Sequence, residues 1–378
     1  MSDTSSGSDE RNRIAGASAD SGSTDAPAAA SPQWLPFRFS GDGASFFRLW
    51  IVNLALTLVT LGIYSAWAKV RTNRYFYGHT SVAGSAFEYH AEPLVILRGR
   101  LIAVGVLVAY TLISNFFPLF GLLVLLALMV MLPFIVVRSM RFNAQMTSWR
   151  GIRMRFLGEV DGAFGAYIGW PTLGLFSMGL LWPFAWFKKA EFGVNNHRLG
   201  ATPFRMTATA GSFYRLAMMF TLISVPLFLL FGWLAADLFG PLLDAAAEAE
   251  DTASSAEAEA LVLGPLYVVL FVGYLLLFSL FSGLRFITIY RRIELGDNAI
   301  ETDLSIWRFL WVSVSNTVLI VLTLGLFYPW ARVRMTRLLI ESLEAEAHSL
   351  DGFVAASLQD ETALGDELGE VMDFGIGV

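Results

Sequence analysis

Long uncharged runs separated by short basic stretches set the pattern of this chain. Residues 49–68, 101–137, 162–187, 216–236, 260–284 and 309–331 contain no Asp, Glu, Lys or Arg, and each reaches the ~20 residues needed to cross a bilayer core. A turn, Phe116-Phe117-Pro118-Leu119-Phe120-Gly121, divides the second run. Seven apolar segments result, at about 46–67, 94–115, 119–137, 163–187, 216–236, 260–284 and 307–331. Between them the period changes. Ile152-Arg153-Met154-Arg155-Phe156 and Phe204-Arg205-Met206-Thr207-Ala208 alternate apolar with polar positions, which predicts strands. With the Gly-containing segments 79–89 and 195–200 they predict small β-hairpins on the cytoplasmic face. The expected fold class is a membrane protein, mainly α-helical and polytopic, with repeated membrane segments and small cytoplasmic β-hairpins.

Composition and charge sharpen this picture. Of 378 residues 15% are charged, against about 25% in soluble domains, and the mean hydropathy is +0.57. The net charge of -6 is unevenly distributed: residues 1–36 hold five acids and two bases, 237–260 seven acids and no base, 335–378 ten acids and one base. The rest carries 23 bases against ten acids. Segment 1–36 lacks an apolar core and predicts a disordered tail rather than a signal peptide. The membrane domain is expected over 37–340 and an acidic tail over 341–378, with one amphipathic helix around 337–348. The absence of cysteine excludes disulfides, thiolate metal sites and thiol catalysis.

Bases follow nearly every apolar segment, and Lys and Arg in short loops stay on the cytoplasmic side. If all seven segments crossed, a connection carrying five bases, 69–100 or 188–215, would face outward. An arrangement that keeps the bases inside has four full spans, in two hairpins at about 94–137 and 216–284, and three segments (46–67, 163–187, 307–331) that dip in and return. Both arrangements stay open at this point, because a dipping backbone must be covered by protein. The four-span arrangement, with its even number of crossings, leaves both termini on the cytoplasmic side.

The three ambiguous segments are related. Asn53, Thr60-Leu61-Gly62, Trp67-Ala68 and Lys69-Val70-Arg71 recur at one offset as Asn316, Thr323-Leu324-Gly325, Trp330-Ala331 and Arg332-Val333-Arg334. A looser middle copy, Gly179 to Lys189, lacks the Asn and reads as two residues longer. The Asn53–Arg71 core, its Thr323–Arg334 echo, Phe87-Glu88-Tyr89-His90, Asn195-Asn196-His197-Arg198-Leu199-Gly200 and the stretch Gly365–Gly377 resemble the YjgN-type family of bacterial inner-membrane proteins, a family of unknown function. The resemblance runs from about Phe37 to the C-terminus and implies a multi-pass inner-membrane protein, with no activity or catalytic residue to carry over.

Two sets of residues are candidates for function. Asn53, Thr60, Gly62, Asn316, Thr323 and Gly325 would serve helix packing or a polar path, since an amide in lipid needs a partner and Gly breaks in corresponding segments can mark transporter sites. Trp67, Lys69, Arg71, Arg74, Trp330, Arg332, Arg334 and Arg337 would anchor the cytoplasmic end or bind anionic lipid headgroups. No ionisable group lies within the apolar runs, which disfavours a proton relay. His79, His90, His197 and His348 lack ligand spacing, and Glu88 reads as a salt-bridge partner rather than a general base. The expectation is therefore no enzyme, cofactor, metal or nucleic acid, with membrane lipids as partners. A transporter or channel for a small or amphipathic solute is the leading function, and a non-transporting lipid-binding or scaffold protein the alternative.

Overall fold

A computed structural model describes residues 33–248, 255–347 and 354. Eleven short strands run through it: β1 (Gln33–Pro36), β2 (Arg38–Phe39), β3 (Thr80–Val82), β4 (Ser85–Tyr89), β5 (Thr147–Trp149), β6 (Ile152–Phe156), β7 (His197–Leu199), β8 (Thr202–Met206), β9 (Arg292–Leu295), β10 (Asn298–Thr302) and β11 (Leu343–Ala347). All neighbours pair antiparallel in the order β1-β11-β10-β9-β8-β7-β6-β5-β4-β3-β2. The two edges of that order are β1 and β2, which only Phe37 separates in the chain. One extended run thus forms both edges and brings the sheet round into a barrel-like closure, which removes the exposed edges.

This overturns the expected fold class. The hairpins are not small, separate additions to a helical protein; they join into one sheet. A two-stranded hairpin is marginal alone, and the joining pairs are far apart in sequence: Phe87 opposite Trp149, Phe156 opposite His197, Phe204 opposite Leu295. Alternation and turn glycines predict the hairpins of β3–β4, β5–β6 and β7–β8, but not that of β9–β10, and contain nothing about those partners. Two boundaries change as well. The chain is already a strand at Gln33, inside the stretch expected as tail. Leu343-Glu344-Ala345-Glu346-Ala347 is a strand rather than part of a helix, because its alternation puts Leu343 and Ala347 in the core although Leu, Ala and Glu individually favour helix. The rest of the acidic tail, Val354 excepted, and residues 249–254 of the acidic 237–260 connection lie outside the described residues.

Tight turns and helices alternate around the barrel. At one end β3–β4, β5–β6, β7–β8 and β9–β10 are joined directly, with positive φ at Ala83-Gly84, Arg150-Gly151, Gly200 and Gly296. At the other end the chain leaves as helices and returns: α1 (Gly43–Val59) with α2 (Ser65–Gly78); α3 (Pro93–Phe116) with α4 (Pro118–Gln145); α5 (Val160–Phe164), a π turn (Gly165–Gly169) and α6 (Trp170–Phe176) with α7 (Trp182–Asn195); α8 (Ala210–Glu248) with α9 (Ser255–Tyr290); and α10 (Ile306–Leu322) with α11 (Tyr328–Glu341). Because the strands alternate in direction, all of these helical pairs emerge from the same end. Pro93–Phe116, Pro118–Gln145, Ala210–Leu234 and Leu270–Tyr290 are long and apolar enough to cross a membrane. They belong to the second and fourth pairs only.

Inward-facing residues of successive strands, including Val82, Trp149, Ile152, Leu199, Leu295 and Leu343, form the barrel core together with Phe37. Val354 packs against the same cluster. Outward positions alternate in sign: Arg205 faces Glu294 across β8–β9 and Arg292 faces Glu301 across β9–β10. Arg292 is bonded to Glu301 and, at 3.1 Å, to Glu346.

Candidate site at the base of the short helical pairs

The three short helical pairs reverse through one turn geometry. Leu61 and Gly62 have φ of 50° and 91°, Met178 and Gly179 52° and 94°, Leu324 and Gly325 50° and 91°. Each glycine N–H donates to a carbonyl five residues back: Gly62 to Thr57 (2.8 Å), Gly179 to Gly174 (2.9 Å), Gly325 to Ile320 (2.7 Å), the bond of a Schellman ending. The Thr60 hydroxyl donates to the Leu56 carbonyl and accepts from Tyr64 N–H; Thr323 does the same with Leu319 and Phe327, and Ser177 with Gly174 and Leu181. Thr60, Gly62, Thr323 and Gly325 therefore build turns. On this alignment the middle pair has the same length as the others, which corrects the reading of two extra residues. Trp182 and Trp186 misled the comparison, since it is Phe184 that takes the place of Trp67.

The turns present apolar side chains to the surroundings. Leu61, Met178 and Leu324 are 94%, 96% and 95% exposed. No charged residue lies within the turns.

Asparagine and arginine, taken from separate candidate sets, meet at the bases of the outer pairs. Asn53 and Asn316 are buried. Arg71 Nη1 donates to Asn53 Oδ1 at 3.3 Å and Arg334 Nη1 to Asn316 Oδ1 at 3.0 Å, each across eighteen residues. Asn316 also donates to the Ala331 carbonyl at 3.0 Å, whereas the Asn53 side-chain nitrogen has no partner among the described residues. Arg71 reaches Tyr64 Oη at 3.0 Å and Arg332 reaches Tyr328 Oη at 2.9 Å. Three residues on, the arginines do something else: Arg74 donates to the Tyr89 and Ala91 carbonyls, and Arg337 to the Gly41 carbonyl at 2.7 Å. Arg74 and Arg337 tie the returning helices to the barrel end.

The first and last pairs are neighbours because the sheet closes between them. Trp330 stacks on Phe47 at 4.8 Å between centroids, and a Cβ on Gly43 would lie 2.3 Å from Trp330 Cδ1, so only glycine lets α1 approach that indole. Trp67 stacks on Tyr64 within its own pair. Asp42 caps α1 by accepting from Ser45 N–H at 2.9 Å, and that bond holds its carboxyl below the usual carboxylate range. At this seam lies a polar pocket of about 390 Å³ lined by Trp50, Asn53, Thr57, Lys69, Asn73 and Arg332 among others. Lys69, Arg71, Arg332 and Arg334 have no carboxylate partner among the described residues. Lys188 in the middle pair does, with Glu191 at 2.7 Å.

A second cavity, about 560 Å³, fills the barrel lumen and extends to the ends of α7 and α9. His197 lines it, its Nδ1 against the Gly193 carbonyl, and burial lowers its pKa. Glu88 lies 3.4 Å from His90, and no group of three His, Cys, Asp or Glu among the described residues could hold a metal. His348 lies outside the described residues. Sequence reasoning missed the tyrosine partners and the Asn–Arg pairing. The repeated eighteen-residue separation was the available signal.

Comparison with known proteins gives a family without an assigned activity. The chain is similar to the inner membrane protein YjgN of Escherichia coli O157:H7, 33% identical over 144 residues, which cover 38% of this chain and 36% of that protein. It is also similar to YjgN of Salmonella typhimurium, 30% identical over 136 residues, covering 36% of this chain and 34% of the relative. The aligned region thus spans about a third of each relative. No solved structure matches. Since the family model covers residues 34–371, nearly everything beyond the N-terminal segment, the chain belongs to the family described as bacterial protein of unknown function (DUF898).

Proposed function

We propose that this is a multi-pass inner-membrane protein that binds anionic lipid headgroups at the seam between its first and last short helical pairs. The relatives named as inner membrane proteins and the four long apolar helices support the location. Helices of 24 and 28 residues span about 36 and 42 Å at 1.5 Å per residue, enough for a ~30 Å hydrocarbon core. The 17- and 14-residue arms of the first and last pairs give about 25 and 21 Å and start from bases that belong at headgroup level. They dip and return. The tight β-turn end of the barrel then lies on the cytoplasmic side with the bases.

One observation carries the ligand assignment: Lys69 and Arg332, without carboxylate partners among the described residues, line a pocket together with Asn53, whose side-chain nitrogen has no partner among those residues. Cations on a membrane-facing polar pocket attract anionic headgroups at about 1 kcal/mol per base. A solute path along the repeated Asn, Thr and Gly residues is the weaker reading, because the turns already use Thr60, Gly62, Thr323 and Gly325. The test is native mass spectrometry of the protein in mixed phosphatidylglycerol and phosphatidylethanolamine. Retained phosphatidylglycerol that is lost in Lys69→Gln/Arg332→Gln supports the assignment. Equal retention of both lipids by both proteins, together with solute flux in reconstituted vesicles, overturns it.

A further inference from the structure

The headgroup site leaves the barrel lumen unused. Its lining is almost entirely apolar, with Leu199, Phe204, Leu295, Ile300 and Leu343 contributed by successive strands. The volume, about 560 Å³, falls within the roughly 300–1,000 Å³ of small-molecule sites, which combine apolar walls with a few placed polar groups. Of the polar groups here, Glu346 is bonded to Arg292, His197 is held by Gly193 and Asn298 is engaged. Tyr290 and Arg285 remain: both line the cavity, and Arg285 is exposed, lies within electrostatic reach of Tyr290 and Tyr167, and has neither a hydrogen bond nor an ion pair among the described residues. Arg285 lies on α9 where that helix meets the barrel, the end from which the membrane-crossing helices leave.

We propose that the lumen binds the long acyl chain of an amphipathic anion, with Arg285 receiving the anionic head. The apolar wall takes the chain out of water, the dominant favourable contribution to such binding. The guanidinium supplies a charge-assisted bond to a carboxylate or phosphate. A chain entering from the helical end would come directly from the membrane. Free fatty acids and anionic phospholipids share this chemistry, and the site is separate from the seam pocket.

The experiment is photolabelling of the full-length protein in phosphatidylethanolamine nanodiscs. Three probes carry the same diazirine-bearing chain: a palmitate, a phosphatidylglycerol and the uncharged palmityl alcohol. The expected result is crosslinking in β7–β8 and β9–β10 by palmitate, phosphatidylglycerol or both, which identifies the source of the chain. Arg285→Gln should lower that labelling about tenfold, the scale of one charged hydrogen bond, while alcohol labelling stays unchanged. Ala345→Phe, which fills the lumen, should abolish it. Should that variant not fold, the crosslink map of the unaltered protein and the Arg285→Gln result decide. Crosslinks confined to α3, α4 and the turn residues, or labelling indifferent to Arg285→Gln, would overturn the proposal. Lys69→Gln/Arg332→Gln should leave lumen labelling intact, so failure of the seam site and failure of the lumen site are separately visible.

Discussion

The outer short helical pairs and the middle one share a turn and differ at the base. All three reverse through a left-handed Leu-Gly or Met-Gly step capped by a hydroxyl. At the base, the outer pairs place Asn53 with Arg71 and Asn316 with Arg334, while the middle pair has Trp170 and Lys188 at those positions. Trp170 packs on Phe184 at 4.5 Å, and Lys188 is neutralised by Glu191. The difference separates architecture from chemistry. Residues common to all three pairs make the reversal, and those confined to the outer two tie the arms of each pair together at the base.

That comparison can be broken most easily at the turns. Gly62→Val, Gly179→Val and Gly325→Val each force a β-branched residue into positive φ, so each should lose about 1–3 kcal/mol. Thermal unfolding in detergent should show similar losses in all three, and a loss confined to the outer pairs would mean the turns are not equivalent. At the base the effects should diverge. Arg334→Met removes a donor from a buried amide oxygen and should cost about 1–3 kcal/mol, whereas Lys188→Met breaks only a partly exposed ion pair worth less than about 1 kcal/mol. Equal costs would erase the distinction.

Smaller effects sharpen the comparison. Lys69→Gln and Arg332→Gln should each weaken phosphatidylglycerol binding about fivefold, from ~1 kcal/mol per base, while stability stays within about 0.5 kcal/mol. The equivalent middle position, Trp186, offers no base to remove. His197 should produce a shallow acid dependence. Burial lowers its folded pKa below the ordinary 6.5, so the unfolded chain takes up the proton first as pH falls. No cost exists above pH ~6.5; below it stability declines until the folded pKa is reached. The melting temperature measured between pH 8 and 5 should fall on the acid side, and His197→Gln should flatten that slope.

Much of this was legible in the chain, unevenly. The long apolar helices follow from uncharged runs, and the two outer turns from Thr-Leu-Gly and its echo. The hairpins of β3–β4, β5–β6 and β7–β8 follow from alternation and turn glycines. Their union into a barrel does not, because Phe204 finds Leu295 only after the long α8–α9 excursion returns. The strand at Leu343–Ala347 was hidden by residues that favour helix. The seam site was legible in parts, as Asn and as Arg, but not as pairs. Lys69 and Arg332 share a pocket only because β1 closes on β11, a consequence of ring closure that no local pattern contains.

The central claim is that the three short pairs dip into the membrane and return while the second and fourth pairs cross it. The chain lacks cysteine, so single cysteines can be read without background. In intact cells an impermeant maleimide should label Phe117→Cys and Asp251→Cys, and should label Gly84→Cys or Gly200→Cys only after permeabilisation. Leu61→Cys, Met178→Cys and Leu324→Cys should resist labelling from both sides. Labelling of Leu61→Cys or Leu324→Cys from outside to the extent of Phe117→Cys would contradict the account.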